Sequence, residues 1–141
     1  MKRTLLAVVI ASLFPVAPAA ASSSNTFRGH TSQTCLPKQG CTAGKPTPFS
    51  FTASNGYVTS LTVADHSTPP GCFGARPHTL GQLRLSINHG TFSFHGPGHG
   101  APPGFKIVVT GKISGKDATG TIVDMVRGCT SGQVTWKASK V

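Results

Sequence analysis

The chain contains no glutamate, and its only carboxylates besides the terminus are Asp65, Asp117 and Asp124. That scarcity argues against glycoside hydrolysis, which needs two carboxyl groups facing each other across a cleft. Asp117 falls in a turn, Asp65 at a strand end and Asp124 inside a strand, so no two are placed as a pair. The one tryptophan, Trp136, and one tyrosine, Tyr57, are the only candidates for stacking sugars, and both alternate in phase with aliphatics, which places them in the core. No stretch beyond the N-terminus is long and apolar enough to span a bilayer. No segment after the first twenty or so residues carries a helical period.

What the sequence has instead is positive charge, glycine and proline. Thirteen Lys and Arg give a formal net charge of +10, and Gly and Pro number 17 and 11 in 141 residues. Lys2 and Arg3, the apolar run Leu5–Val16 and the small residues Ala19-Ala20-Ala21 have the layout of a secretory signal peptide. We expect cleavage after Ala21 and a secreted, extracellular protein with no transmembrane anchor. Removing Lys2 and Arg3 leaves eleven cations on 120 residues, a net of +8. A field of that sign attracts polyanions. The cations are spread along the chain rather than bunched into an arm, and outside a cell the expected partner is an anionic wall polymer or glycan, not a specific nucleic acid.

Export also bears on the four cysteines, Cys35, Cys41, Cys72 and Cys129. In an oxidising compartment an even count reads as disulfides rather than metal ligands. Cys35-Leu-Pro-Lys-Gln-Gly-Cys41 is a compact loop whose spacing permits a local bond. The expected pairing is Cys35–Cys41 with Cys72–Cys129.

Along the chain, residues 22–46 have no apolar period and are expected to form a flexible leader around the Cys35/Cys41 loop. Residues 47–141 are expected to form a single β-domain. Phe49, Phe51 and Ala53 alternate with polar residues. Tyr57, Thr59, Leu61 and Val63 do the same after the turn signal Asn55-Gly56. Asp65–Thr79 reads as an irregular loop. Leu83, Leu85 and Ile87 lead through Asn88-His89-Gly90 to Phe92 and Phe94, a second hairpin. After the irregular stretch His95–Gly104 come Phe105, Ile107, Val109, Gly111 and Ile113 on one face. Ala118–Arg127 resists phasing, because Ile122, Val123, Met125 and Val126 put apolar groups on both sides; a doubly covered strand or a bulge would account for it. Val134, Trp136 and Ala138 form a last inward face. About seven strands in this length predict an all-β fold, an antiparallel sandwich or a closed barrel, stabilised by disulfides. A chain of this size buries roughly 65% of its unfolded surface, enough for one core.

Few residues point to chemistry, and no cofactor is implied. His89, His95 and His99 are spaced so that imidazoles in a loop can share Zn²⁺ or Cu²⁺. The ordinary alternative is solvated loop polarity. Cys72-Phe73-Gly74-Ala75-Arg76 is a candidate exposed loop, in which Phe73 and Arg76 would contact a partner or a protease; Pro77 after Arg76 opposes docking by trypsin-like enzymes. No nucleophile-elbow motif accompanies the plentiful Ser and His. The expected function is therefore non-catalytic binding or structure at the cell envelope, with a protease inhibitor or small hydrolase as the alternative.

The segment Cys129-Thr130-Ser131-Gly132-Gln133-Val134-Thr135-Trp136-Lys137-Ala138 resembles the closing strand of small exported proteins of high-GC Gram-positive bacteria. The hairpin Ile87–Ser93 and the strands Val109–Ile113 and Ala118–Ile122 match the same pattern in order. The resemblance runs from about Leu83 to Ala138. It implies a β-fold and assigns no catalytic residues.

Overall fold

The computed structural model describes residues 23–37, 40–64, 78–80, 83–97 and 103–141. Within them the chain is all β. The strands are β1 (Ser24–Thr34), β2 (Pro46–Ser54), β3 (Tyr57–Val63), β4 (His78–Leu80), β5 (Leu85–Ser86), β6 (Thr91–Gly96), β7 (Phe105–Ser114), β8 (Asp117–Val126), β9 (Cys129–Thr130) and β10 (Val134–Lys140). Seven of them are six residues or longer, and β4, β5 and β9 are short.

All belong to one antiparallel sheet in the order β4-β3-β2-β1-β10-β8-β7-β6. The sheet curls until its ends almost meet. β5 pairs with β3 through Tyr57–Ser86 and Val58–Leu85. The Ile87 N–H donates to the Gly56 carbonyl at 2.8 Å. From β5 the chain passes directly into β6 through the Asn88–Thr91 bridge. The result is a nearly closed barrel rather than a sandwich.

Both expected turns form as their sequences require, but only the first closes a paired hairpin: β5 pairs with β3 rather than with β6, and a single Asn88–Thr91 bridge crosses the second turn. Asn55 and Gly56 have φ of 51° and 77°, and His89 and Gly90 have 49° and 77°. Two successive left-handed residues make the tight turn whose twist matches antiparallel strands. The interior is aromatic. Phe49 stacks on Trp136 with ring centroids 4.3 Å apart, and Phe27 stacks on Phe51 at 4.6 Å. Phe92 closes the cluster against Phe51 and Trp136. Trp136 is buried, as its phase predicts. Gly111 and Gly120 leave the space that the Phe92 and Trp136 rings occupy, since a Cβ at either would collide with them.

Three expectations are overturned. First, residues 22–46 are not a flexible leader. Ser24–Thr34 is β1, an interior strand between β2 and β10, so the β-domain begins there and not at residue 47. The inward side chains of β1 are Phe27, Gly29 and Thr31. Only Phe27 is apolar and large, and hence no alternation is visible in the sequence. Gly29 is required because a Cβ would strike the Lys137 carbonyl. Thr31 is buried and its hydroxyl is hydrogen-bonded to that of Thr47, also buried.

Second, Tyr57 and Thr59 do not share the inward face of Leu61 and Val63. The β2–β3 register slips between Thr52 and Ala53, where Thr52 faces Ser60 but Ala53 faces Val58. That bulge turns Val58 inward and leaves Tyr57 half-exposed. Arg84 lies over the tyrosine ring, its guanidinium carbon 4.5 Å from the centroid.

Third, β8 is neither bulged nor out of phase. It pairs with β7 without a break from Phe105–Val126 to Ser114–Asp117. The confusing feature is that Asp124 points inward and is fully buried, while Val123 and Met125 face outward, half-buried. At the other irregular stretch, the expected loop Asp65–Thr79 ends early, since His78 and Thr79 pair with β3 in β4.

Cys35 and Cys41 form a disulfide with Cα atoms 6.1 Å apart, as their spacing predicts. Cys129 is also disulfide-bonded. Its expected partner Cys72 lies outside the described residues, as do Phe73, Arg76 and His99.

Candidate functional site

The predicted metal site does not assemble from the described histidines. His89 sits in the β5–β6 turn and His95 near the far end of β6. From Thr91 to His95 alone the strand rises about 13 Å, far beyond the reach of two imidazoles sharing one ion. Among the described residues no three His, Cys, Asp or Glu side chains gather as metal ligands.

Among the described residues the aspartates are not placed as a hydrolytic pair either. Asp117 and Asp124 lie seven residues apart on one strand, about 23 Å, and on opposite faces. Asp117 is exposed and accepts a hydrogen bond from the Ser139 hydroxyl at 2.8 Å. Asp124 is in the interior, where its backbone is clamped to Ser131. The Asp124 N–H donates to Ser131 Oγ and the Ser131 N–H donates to the Asp124 carbonyl, both at 2.8 Å. The Ser131 hydroxyl in turn donates to the Gly132 carbonyl at 2.8 Å. That hydroxyl closes a turn and is not poised against a base.

What the fold does assemble is a surface. On β1, β10, β8 and β7 the inward positions build the core, and the alternate positions face solvent. The outward positions carry Arg28, Lys106, Lys112 and Lys137 against one carboxylate, Asp117. These residues are far apart in the chain. Strand order brings them into line.

The alignment runs across the strands in rows. In the first row His30 pairs with Lys137, Lys137 with Thr119, Thr119 with Lys112, and Lys112 with Thr91. Directly opposed residues in an antiparallel pair hold their Cβ atoms about 5 Å apart on one face. Lys137 and Lys112 are thus two strand spacings apart, about 9.6 Å, with the Thr119 hydroxyl between them. That separation is close to the Debye length of roughly 8–10 Å at physiological salt, so both charges act on the same bound group.

The next row is uncharged and rich in hydroxyls. Thr135 faces Thr121, Thr121 faces Thr110, and Thr110 faces Ser93. The Thr110 and Thr121 hydroxyls are hydrogen-bonded at 2.8 Å. Ser32 extends the row onto β1, where its Oγ accepts the Thr135 N–H at 3.1 Å. On the other side of the charged row Arg28 faces Ser139, and Ser139 faces Asp117.

Two shallow grooves flank the His30–Lys137 pair. One, of about 420 Å³, is bordered by Arg28, Asp117, Thr119 and Ser139; the other, of about 390 Å³, by Ser32, Pro46 and Thr135. His30 and Lys137 belong to both. None of these residues stands out in the sequence, because each is an ordinary polar residue at an outward strand position. Compared with known protein families, curated proteins and solved structures, the chain matches none.

Proposed function

We propose that this is an exported, non-catalytic binding protein that engages an anionic wall polymer or glycan through the outer face of β1, β10, β8 and β7. The observation that carries the reading is the row His30–Lys137–Thr119–Lys112, with Arg28 beside it and Asp117 as the face's one carboxylate. A barrel packed with aromatics has no need of that arrangement for stability, since like charges in neighbouring rows repel. A polyanion lying on the face relieves the repulsion and gains from every cation it passes. The Cys35–Cys41 disulfide and the signal-like Met1–Ala21 segment support an oxidising, extracellular setting.

The test is co-sedimentation of the protein with purified cell walls at low and high salt. Wild type is expected in the pellet at low salt and in the supernatant at high salt. The R28Q/K112Q/K137Q variant should bind on the order of tenfold more weakly, from three exposed charge contacts of about 0.2–1 kcal/mol each. Failure to pellet at low salt, or equal binding by the variant, would overturn the reading.

A further inference from the structure

We infer that the occupant of this face is a carboxylated polysaccharide whose chain crosses the strands, laid over the charged row and the hydroxyl row together. The inference rests on the binding role proposed above and names its ligand class and direction.

The direction follows from the rows. Cations and hydroxyls repeat across the sheet from β1 to β6, and the two rows are two residues apart along each strand, about 7 Å. A chain lying across the strands meets Lys137, Thr119 and Lys112 in succession along one edge. Along its other edge it meets Thr135, Thr121 and Thr110. A chain lying parallel to one strand would meet each row once only.

The class follows from the donor set. Ser and Thr hydroxyls donate and accept, as sugar hydroxyls do, whereas a phosphate polymer offers acceptors alone. The charged row is supplied mainly by Lys, a point charge that pairs with a carboxylate without demanding a fixed geometry. Bases of single-stranded nucleic acid need exposed aromatic platforms. The outward positions of β1, β6, β7, β8 and β10 hold no Phe, Tyr or Trp. The same lack excludes stacking as the source of affinity for a neutral sugar, which leaves charge on the glycan to supply it.

The experiment measures binding of oligogalacturonate, inorganic polyphosphate and uncharged dextran by calorimetry, for wild type, K112Q/K137Q, T110V/T121V and the hydroxyl-retaining T110S/T121S. Melting temperatures establish that each variant is folded. Oligogalacturonate is expected to bind, and dextran is not. T110V/T121V should weaken oligogalacturonate roughly three- to tenfold, the worth of one hydrogen bond to each chain, with polyphosphate, which can use only the hydroxyls' donors, weakened less and T110S/T121S close to wild type. K112Q/K137Q should weaken both polyanions. Amide shifts induced by a long oligogalacturonate should run from His30 through Lys137, Thr119 and Lys112 to Thr91. Tighter binding of polyphosphate at equal charge, indifference to T110V/T121V, or shifts confined to one strand would overturn the inference. Lysine-dependent wall binding would then still stand. If K112Q/K137Q changes nothing with any polyanion, the proposed function fails as well.

Discussion

Phe49 of β2 and Trp136 of β10 stack face to face at 4.3 Å, although β1 lies between their strands in the sheet. The contact passes over β1 at Gly29, which pairs with Phe49 on one side and Ala138 on the other, and ties the N-terminal hairpin to the C-terminal strand. Trp136 also meets Phe51 and Phe92, so β2, β6 and β10 all depend on one ring. Trp136→Ala should cost about 3–5 kcal/mol, a large share of a typical stability of roughly 5–15 kcal/mol. Trp136→Phe should cost less. Urea midpoints followed by circular dichroism will decide; a loss under about 1 kcal/mol for the alanine variant would mean that the cluster does not carry the fold.

β1 makes an equally direct prediction, because its residues read as a leader and yet form an interior strand. Removing residues 22–34 would expose the facing edges of β2 and β10, and the aromatic cluster would lose Phe27. The truncated protein should not fold. Gly29→Ala is the gentler probe. The added methyl would press on backbone rather than on a movable side chain, at a cost of about 3 kcal/mol, the upper end for overpacking. Backbone amides of β1 in the intact protein should be among the slowest to exchange. Rapid exchange from Thr26 to Thr31 would contradict the central placement.

The contrast between β1 and β7 shows what the residue pattern can reveal. Phe105, Ile107, Val109 and Ile113 announce β7, because the interior there is filled by aliphatics at every second position. The interior over β1 is filled from its two neighbouring strands by Phe49, Phe51 and Trp136, so β1 needs only Phe27 and small residues. The face of Tyr57 is hidden for another reason. A bulge reverses the face of everything before it, and nothing in Tyr57–Val63 marks the extra residue. In β8, hydropathy points the wrong way, with Asp124 inside and Val123 and Met125 outside. The basic rows were the least legible feature. Arg28, Lys112, Thr119 and Lys137 look scattered until the order β1-β10-β8-β7 is known, and that order is a property of the closed sheet.

The Cys35–Cys41 disulfide closes a short loop just after β1. The Cys35 N–H donates to the Lys45 carbonyl at 2.7 Å, and the Gly44 N–H donates to the Cys35 carbonyl at 2.9 Å. Backbone bonds therefore hold the β1–β2 connection independently of the sulfurs. By loop-closure entropy a loop this small contributes about 2 kcal/mol. C35S/C41S should fold with a melting temperature lower by about 8 °C for a domain of this size. An unfolded double variant would show that the disulfide is required for folding and does more than restrict the unfolded chain.

Tyr57 and Arg84 offer a test of whether an exposed aromatic matters. The guanidinium over the ring covers one face of the tyrosine, and such a pair at the surface is worth about 0.5–1 kcal/mol. Arg84→Gln uncovers the ring and removes one cation without touching the β1-β10-β8-β7 face. If polyanion binding depends on that face, Arg84→Gln should leave wall binding within about twofold of wild type, since a charge more than a Debye length away is largely screened. Lys112→Gln and Lys137→Gln should each weaken it several-fold. The two outcomes separate a located site from a general effect of net charge. Equal losses at Arg84, Lys112 and Lys137 would mean that the +10 charge of the whole chain, and not the aligned row, holds the polymer.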